Sequence, residues 1–91
     1  MAHRIPIESS LDLHAFHPRD IPGVVDEYVT AAAAAGLPDI RIVHGRGTGV
    51  QRGIVQARLE AHADAVELWD DDRSHLGATI ARLRLSHSAL L

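Results

Sequence analysis

The chain has no cysteine and no lysine, and among its 91 residues only Phe16, Tyr28 and Trp69 are aromatic. Without cysteine there are no disulfides, thiolate zinc sites or cysteine nucleophiles. Three scattered aromatic side chains do not make a base-stacking platform of the kind that binds single strands, and they leave the core to aliphatic residues and alanine. No 18-residue apolar run and no signal-type segment occurs, so no membrane partner is expected and the default location is the cytoplasm. A Gly-x-Ser-x-Gly elbow is missing, which disfavours a serine hydrolase. His17, His62, His75 and His87 show no i, i+4 pairing, which disfavours a structural zinc site.

With 46% hydrophobic residues the chain reads as one compact domain, large enough to bury roughly 60–65% of its unfolded surface. All nine basic residues are arginine, a side chain suited to forked recognition of phosphate. The net charge of -3 argues against non-specific adhesion to nucleic acid, but the charge is unevenly spread. Arg41, Arg46, Arg52 and Arg58 fall in a stretch without acids, and Glu60, Asp64, Glu67, Asp70, Asp71 and Asp72 follow in a stretch without arginine.

Residues 1–10 read as an N-terminal arm, with Pro6 discouraging a helix. Leu11-Asp12-Leu13-His14 alternates with period two, a short half-buried strand with Asp12 and His14 on its polar side. Asp20 stands at an N-cap position before Ile21 and Pro22. Ile21, Val24, Val25, Tyr28, Val29, Ala32 and Ala35 then recur at helical spacing until Gly36-Leu37-Pro38 stops the helix. Ile40 to Val43 makes a second strand. A second helix is expected from about Gly49 to His62, burying Val50, Ile54, Val55, Leu59 and Ala61. Val66 to Trp69 and Thr79 to Leu85 supply two more strands, and the tail 86–91 is uninformative, which leaves residues 11–85 as the domain. Right-handed crossovers place both helices on one face of a sheet whose first three strands run parallel and whose last folds back antiparallel. The expected fold is an α/β two-layer sandwich, β-α-β-α-β-β, with a mixed four-stranded sheet. Leu11, Leu13, Ile40, Ile42, Val66 and Leu68 would lie under the helices. Asp12, His14, Arg41, Glu67, Trp69, Arg82 and Arg84 would line the open face.

His44-Gly45-Arg46-Gly47-Thr48-Gly49 joins the second strand to the second helix. Strand, glycine turn and helix N-terminus in that order make an anion site, because backbone N–H groups converge where the helix dipole is positive. The turn is not a P-loop, which ends in Gly-Lys-Ser/Thr. Nor is it a dinucleotide fingerprint, whose third glycine would fall at Val50 in a chain too short for a doubly wound fold.

Three motifs stand in a fixed order: Leu11-Asp12-Leu13-His14, His44 to Gly49, and Gly77-Ala78-Thr79. In these the chain resembles the Smr domain, the small MutS-related module found at the C-terminus of MutS2 proteins and in short stand-alone proteins. The resemblance spans about Leu11 to Leu83. It implies a sandwich similar to the C-terminal domain of translation initiation factor 3, and endonucleolytic cleavage of DNA or RNA. Asp12 and His14 match the family's Asp-x-His pair, and His44, Gly45, Gly47 and Gly49 its glycine motif. Arg52 matches a basic residue that often follows. Two departures stand out: Ala15 where a glycine commonly follows Asp-x-His, and Ser74-His75-Leu76 in place of a glycine-richer approach to Gly77.

Phosphodiester cleavage needs a base, an acid and stabilisation of the charged phosphoryl group. His14 is the first candidate for proton transfer, with Asp12 to orient it or hold a metal, although residues i and i+2 of a strand stand roughly 6.5–7 Å apart at their bases. His44 is expected as a second proton-transfer group or phosphate donor, or as a ring that pins the turn. Gly45, Arg46, Gly47, Thr48, Gly49 and Arg52 would bind the phosphate. No organic cofactor is expected; a divalent cation, Mg or Mn, is the one candidate. The partner is nucleic acid, DNA or RNA, and the chain is expected to be a monomer or weak dimer. The alternative is a module that recognises DNA or RNA structure without turnover.

Overall fold

A computed structural model of the chain describes residues 7–73 and 77–84. Residues 1–6 of the expected arm, Ser74-His75-Leu76, Leu85 and the tail 86–91 with His87 lie outside the described residues. Four strands and two helices follow in the expected order: β1 (Ser10–Asp12), α1 (Ile21–Ala34), β2 (Asp39–Val43), α2 (Val50–Ala61), β3 (Ala65–Asp70) and β4 (Ala78–Leu83).

The sheet order is β1-β2-β4-β3. β1 pairs parallel with β2, and β4 is antiparallel to both β2 and β3. The first three strands therefore share one direction, as the crossovers require, but the final strand slots between the second and third. That central place explains its composition: Ala78, Thr79, Ala81 and Leu83 are all buried.

Ile21, Val25, Val29, Ala32 and Ala33 of α1 and Val55 and Leu59 of α2 close over Leu13, Ile40, Ile42, Ala81 and Leu83 in one aliphatic core. Both helices thus lie on one face of the sheet. The carboxylate of Asp26 and the guanidinium of Arg58 tie α1 to α2. The Tyr28 hydroxyl donates to the Glu8 carbonyl, and burial pushes that phenol up to about 12.

Helix α1 begins differently from expectation. A 3-10 turn, Pro18–Asp20, leads into it; the Asp20 side chain makes no capping bond, and His17 Nδ1 instead accepts from the Arg19 amide at 3.2 Å. The end is as read: Gly36, at φ 81°, lets its own amide reach Ala33 O at 3.1 Å and the Leu37 amide reach Ala32 O at 3.1 Å, satisfying two terminal carbonyls.

Several expected core positions are at the surface. Val66 is 46% exposed, because the β3–β4 register shifts between Ala65 and Glu67. The extra residue of this bulge turns Val66 outward and gives its inward place to Ala65. Ala35 and Ala61 are exposed at helix ends, and Val50, 65% exposed, opens α2 rather than packing under it. On the open face Glu67 and Arg82 pair at 2.9 Å and Arg41 and Asp71 at 2.8 Å, with Trp69 43% exposed among them. Arg84 instead turns its guanidinium to the Ala63 carbonyl.

Candidate functional site

The polar end of the sheet is built where β1 and β2 finish side by side. β1 ends at Asp12, and Leu13, whose amide still donates to Val43 O at 3.0 Å, starts a turn closed by Phe16 N to Leu13 O at 3.0 Å. His14 is therefore in a turn, not on the strand. The strand spacing expected between Asp12 and His14 does not apply: the chain curls back until Asp12 Oδ1 accepts the His14 amide at 2.9 Å and lies 3.0 Å from its Nδ1. The backbone amide first, and the imidazole second, hold the Asp12 carboxyl below the usual carboxylate range. Ala15 fits this turn without a glycine, since no non-glycine residue among those described has positive φ.

At the end of β2, the amides of His44 and Gly45 both donate to Gly77 O, at 3.0 and 3.1 Å. Gly77, at φ 78°, thereby clips the glycine turn to the head of β4. A Cβ on it would stand 2.5 Å from the Gly45 carbonyl oxygen. The turn closes on Gly49, left-handed at φ 91°, which caps α2 without a side chain. The first-turn amides of a helix lack intrahelical acceptors, and at α2 the N-cap Gly49 has no side chain to supply one. These donors lie at the positive end of the helix dipole, in residues that border a hollow beside the turn.

The buried His44 ring is fully engaged. Its Nδ1 donates to Gly45 O at 3.0 Å, since a carbonyl can only accept, and its Nε2 meets Thr79 Oγ1 at 2.9 Å. The Thr79 hydroxyl in turn accepts from Gln56, which also donates to Asp70 at 2.9 Å. Asp70 takes a two-pronged contact from Arg52 at 2.9 and 2.7 Å. One continuous network thus runs from His44 through Thr79, Gln56 and Asp70 to Arg52. Of the alternatives for His44, this geometry matches the ring that pins the turn. The hydrogen-bonding role of Thr79, named only within the third motif, and Gln56 altogether are what sequence reasoning missed. Their signals were a lone hydroxyl on the inward side of β4 and an amide one helical turn beyond Arg52.

Asp12, His14, His44 and Gly45 line one hollow of about 280 Å³. The other side of the turn borders a second hollow of about 300 Å³, where Arg46, Gly49 and Arg52 meet Asp70, Asp71 and Asp72. Gly45, Gly47, Thr48, Gly49 and Arg52 also bound a third. All the expected site residues therefore surround the glycine turn, but they differ in availability. Arg52 is committed to Asp70, whereas Arg46 makes no ion pair among the described residues. The triple aspartate is divided by strand alternation: Asp70 turns to Arg52 on α2 and Asp71 to Arg41 on the open face. Among the described residues no three His, Asp or Glu side chains converge as a metal site.

The guanidiniums of Arg52 and Arg41 hold the Asp70 and Asp71 carboxyls below their ordinary value. A carboxyl depressed in the folded state stabilises it fully above about pH 4 and stops doing so as the pH falls through the lowered value. Asp70→Asn is therefore expected to flatten the loss of stability as the pH falls below about 4. Chemical denaturation at a series of pH values measures this; an unchanged profile would show that the pair carries no linkage.

The family model of the Smr domain matches residues 11–84. Endonuclease MutS2 of Thermomicrobium roseum is 34% identical over 82 residues, 87% of this chain and 10% of that protein. Endonuclease MutS2 of Brevibacillus brevis is 35% identical over 80 residues, 86% of this chain and again 10% of the relative. The chain thus spans about a tenth of the length of these curated relatives. The crystal structure of the Smr domain of Thermus thermophilus MutS2 superposes with a TM-score of 0.76 at 26% identity, covering 85% of this chain and 99% of that one. The ordered strands, the clipped glycine turn and the three motifs around it accordingly have one explanation: the chain belongs to the Smr domain family.

Proposed function

We propose that this Smr domain is an endonuclease that cleaves phosphodiester bonds in DNA or RNA, with the Asp12–His14 pair as its proton-transfer group and the glycine turn as its phosphate cradle. One observation carries the reading: the pair and the start of the turn border the same hollow. Support also comes from the relatives, which are named endonucleases.

With Nδ1–H held by Asp12, the His14 ring presents the Nε2 lone pair to solvent, and the side chain is 84% exposed. That nitrogen accepts the proton of the attacking oxygen as the new P–O bond forms, and the leaving oxygen takes a proton from solvent as its own P–O bond breaks. The amides of the turn and of Val50, Gln51 and Arg52 hold the phosphoryl oxygens while charge develops on them. Arg46 adds its cation at the tip. Arg52 reaches a phosphate only by exchanging Asp70 for it, and His44 fixes the turn rather than moving protons. No helix among the described residues is long and apolar enough to cross a membrane.

The second reading, a module that binds DNA or RNA structure without turnover, draws on the engagement of both His44 nitrogens and of Arg52, which leaves one titratable pair facing solvent. Incubating the purified chain with single-stranded, nicked and branched DNA and with RNA, with and without Mg or Mn, separates the two. Cleavage is expected, with affinity falling steeply as salt rises. Binding without cleavage under every condition leaves the module. Activity that requires the 2′-hydroxyl identifies RNA as the substrate.

A further inference from the structure

We propose that the third hollow beside the glycine turn is a subsite for an unpaired nucleobase next to the bound phosphate, with Pro18 and Val50 as its apolar walls. The inference rests on the phosphodiester reading and defines a part of the substrate which that reading leaves open. The hollow measures about 370 Å³. Gly47, Thr48 and Gly49 of the turn line it together with Pro18, Val50 and Ile54. Val50 is the most exposed large apolar side chain among the described residues, at 65%. The core does not use it, since Val55 and Leu59 are the fully buried side chains of α2. A β-branched residue also gains nothing in helix propensity at that position.

Apolar walls beside amide donors are the mixed lining of a small-ligand site, and a nucleotide has the same two halves. Its phosphate meets the amides, and the flat face of its base lies on the pyrrolidine ring of Pro18 and the methyls of Val50. A base within a duplex is stacked on both faces and cannot lie there, so the occupant is unpaired, as in a loop, a frayed end or a displaced strand. An apolar side chain from a protein partner, or from a second copy, would fill the wall but leave the amides facing an uncharged group. The site thereby favours substrates with an unpaired nucleotide at the cleaved bond, without requiring an aromatic stacking platform.

Hairpin oligonucleotides with a short unpaired loop, and the same hairpins made abasic at each loop position in turn, test this against the wild-type chain and Val50→Ser. For wild type, one abasic position adjoining the cleaved bond is expected to lower kcat/KM, or raise Kd where only binding occurs, about tenfold. Val50→Ser should reduce that discrimination to about twofold or less while melting at the wild-type temperature, because the side chain is already exposed. Equal treatment of intact and abasic hairpins by wild type overturns the subsite and leaves the nuclease reading intact. So does a Val50→Ser loss that is the same at every abasic position. A dimer seen by sedimentation and dissociated by Val50→Ser gives the hollow to a second copy and overturns the proposal. Failure of wild type to bind or cleave any hairpin defeats the phosphodiester reading, and the subsite with it.

Discussion

Replacing Asp12 and His14 together with alanine is expected to lower the cleavage rate by about 10²–10⁴, the usual contribution of a positioned acid–base group, while leaving nucleic-acid affinity within about threefold. The two effects separate because the proposed function assigns the phosphate to the amides of the glycine turn, away from this pair. His14 is 84% and Asp12 48% exposed, so neither supports the core, and the chief structural loss is the local bond from the His14 amide. That bond is local and exposed to solvent, so its loss does not unfold the domain. Single variants refine the result. Asp12→Asn keeps the shape of the turn but weakens the grip on Nδ1–H, so a smaller loss than for His14→Ala is expected. Rates measured with thermal melts on the same samples decide the matter; undiminished cleavage by the double variant would remove the pair from the mechanism.

Gly77→Ala and Gly53→Ala should move stability in opposite directions. At Gly77 the left-handed φ of 78° disfavours any Cβ, and the added atom would meet the Gly45 carbonyl oxygen at 2.5 Å, a backbone atom that cannot swing aside. Strain and clash together are expected to cost about 2–4 kcal/mol, or about 10–20 °C in Tm for a domain of this size. The same shift would pull the His44 and Gly45 amides off the Gly77 carbonyl and loosen the turn itself. Gly53 sits inside α2 with nothing within 4 Å of an added Cβ, so alanine there is expected to stabilise by about 0.5–1 kcal/mol. Calorimetry on both variants provides its own control. A Gly77→Ala protein as stable as wild type would show that the turn is not clipped in this way.

Much of the architecture is legible from local pattern. The helical repeat of Ile21, Val25 and Val29, the alternation of Ile40 and Ile42, and the stop at Gly36 each report a neighbouring environment directly. The glycine turn and the order of the three motifs are equally plain, and they lead to the family. Features that depend on residues far apart in the chain are not legible in this way. Nothing local to residues 78–83 says that they insert between β2 and β3, and nothing near Val66 announces the bulge that exposes it. The alternation of Leu11 and Leu13 gives His14 strand geometry, yet the strand stops at Asp12 and the turn beyond it brings the two side chains closer than strand spacing would. The stretch of arginines read as a basic region because its acidic partners lie elsewhere in the chain: Asp70 reaches Arg52 and Asp71 reaches Arg41 only once β3 is in place.

The insertion of β4 between its neighbours also sets the order in which the molecule can be completed. A chain extending only as far as β3 lacks the strand that joins β2 to β3. It lacks, too, the carbonyl of Gly77 that gathers two amides of the loop and the hydroxyl of Thr79 that seats an imidazole. Long-range pairing of this kind is the slow step in forming a sheet. The loop after β2 therefore reaches its closed shape only when β4, far along the chain, has joined the sheet.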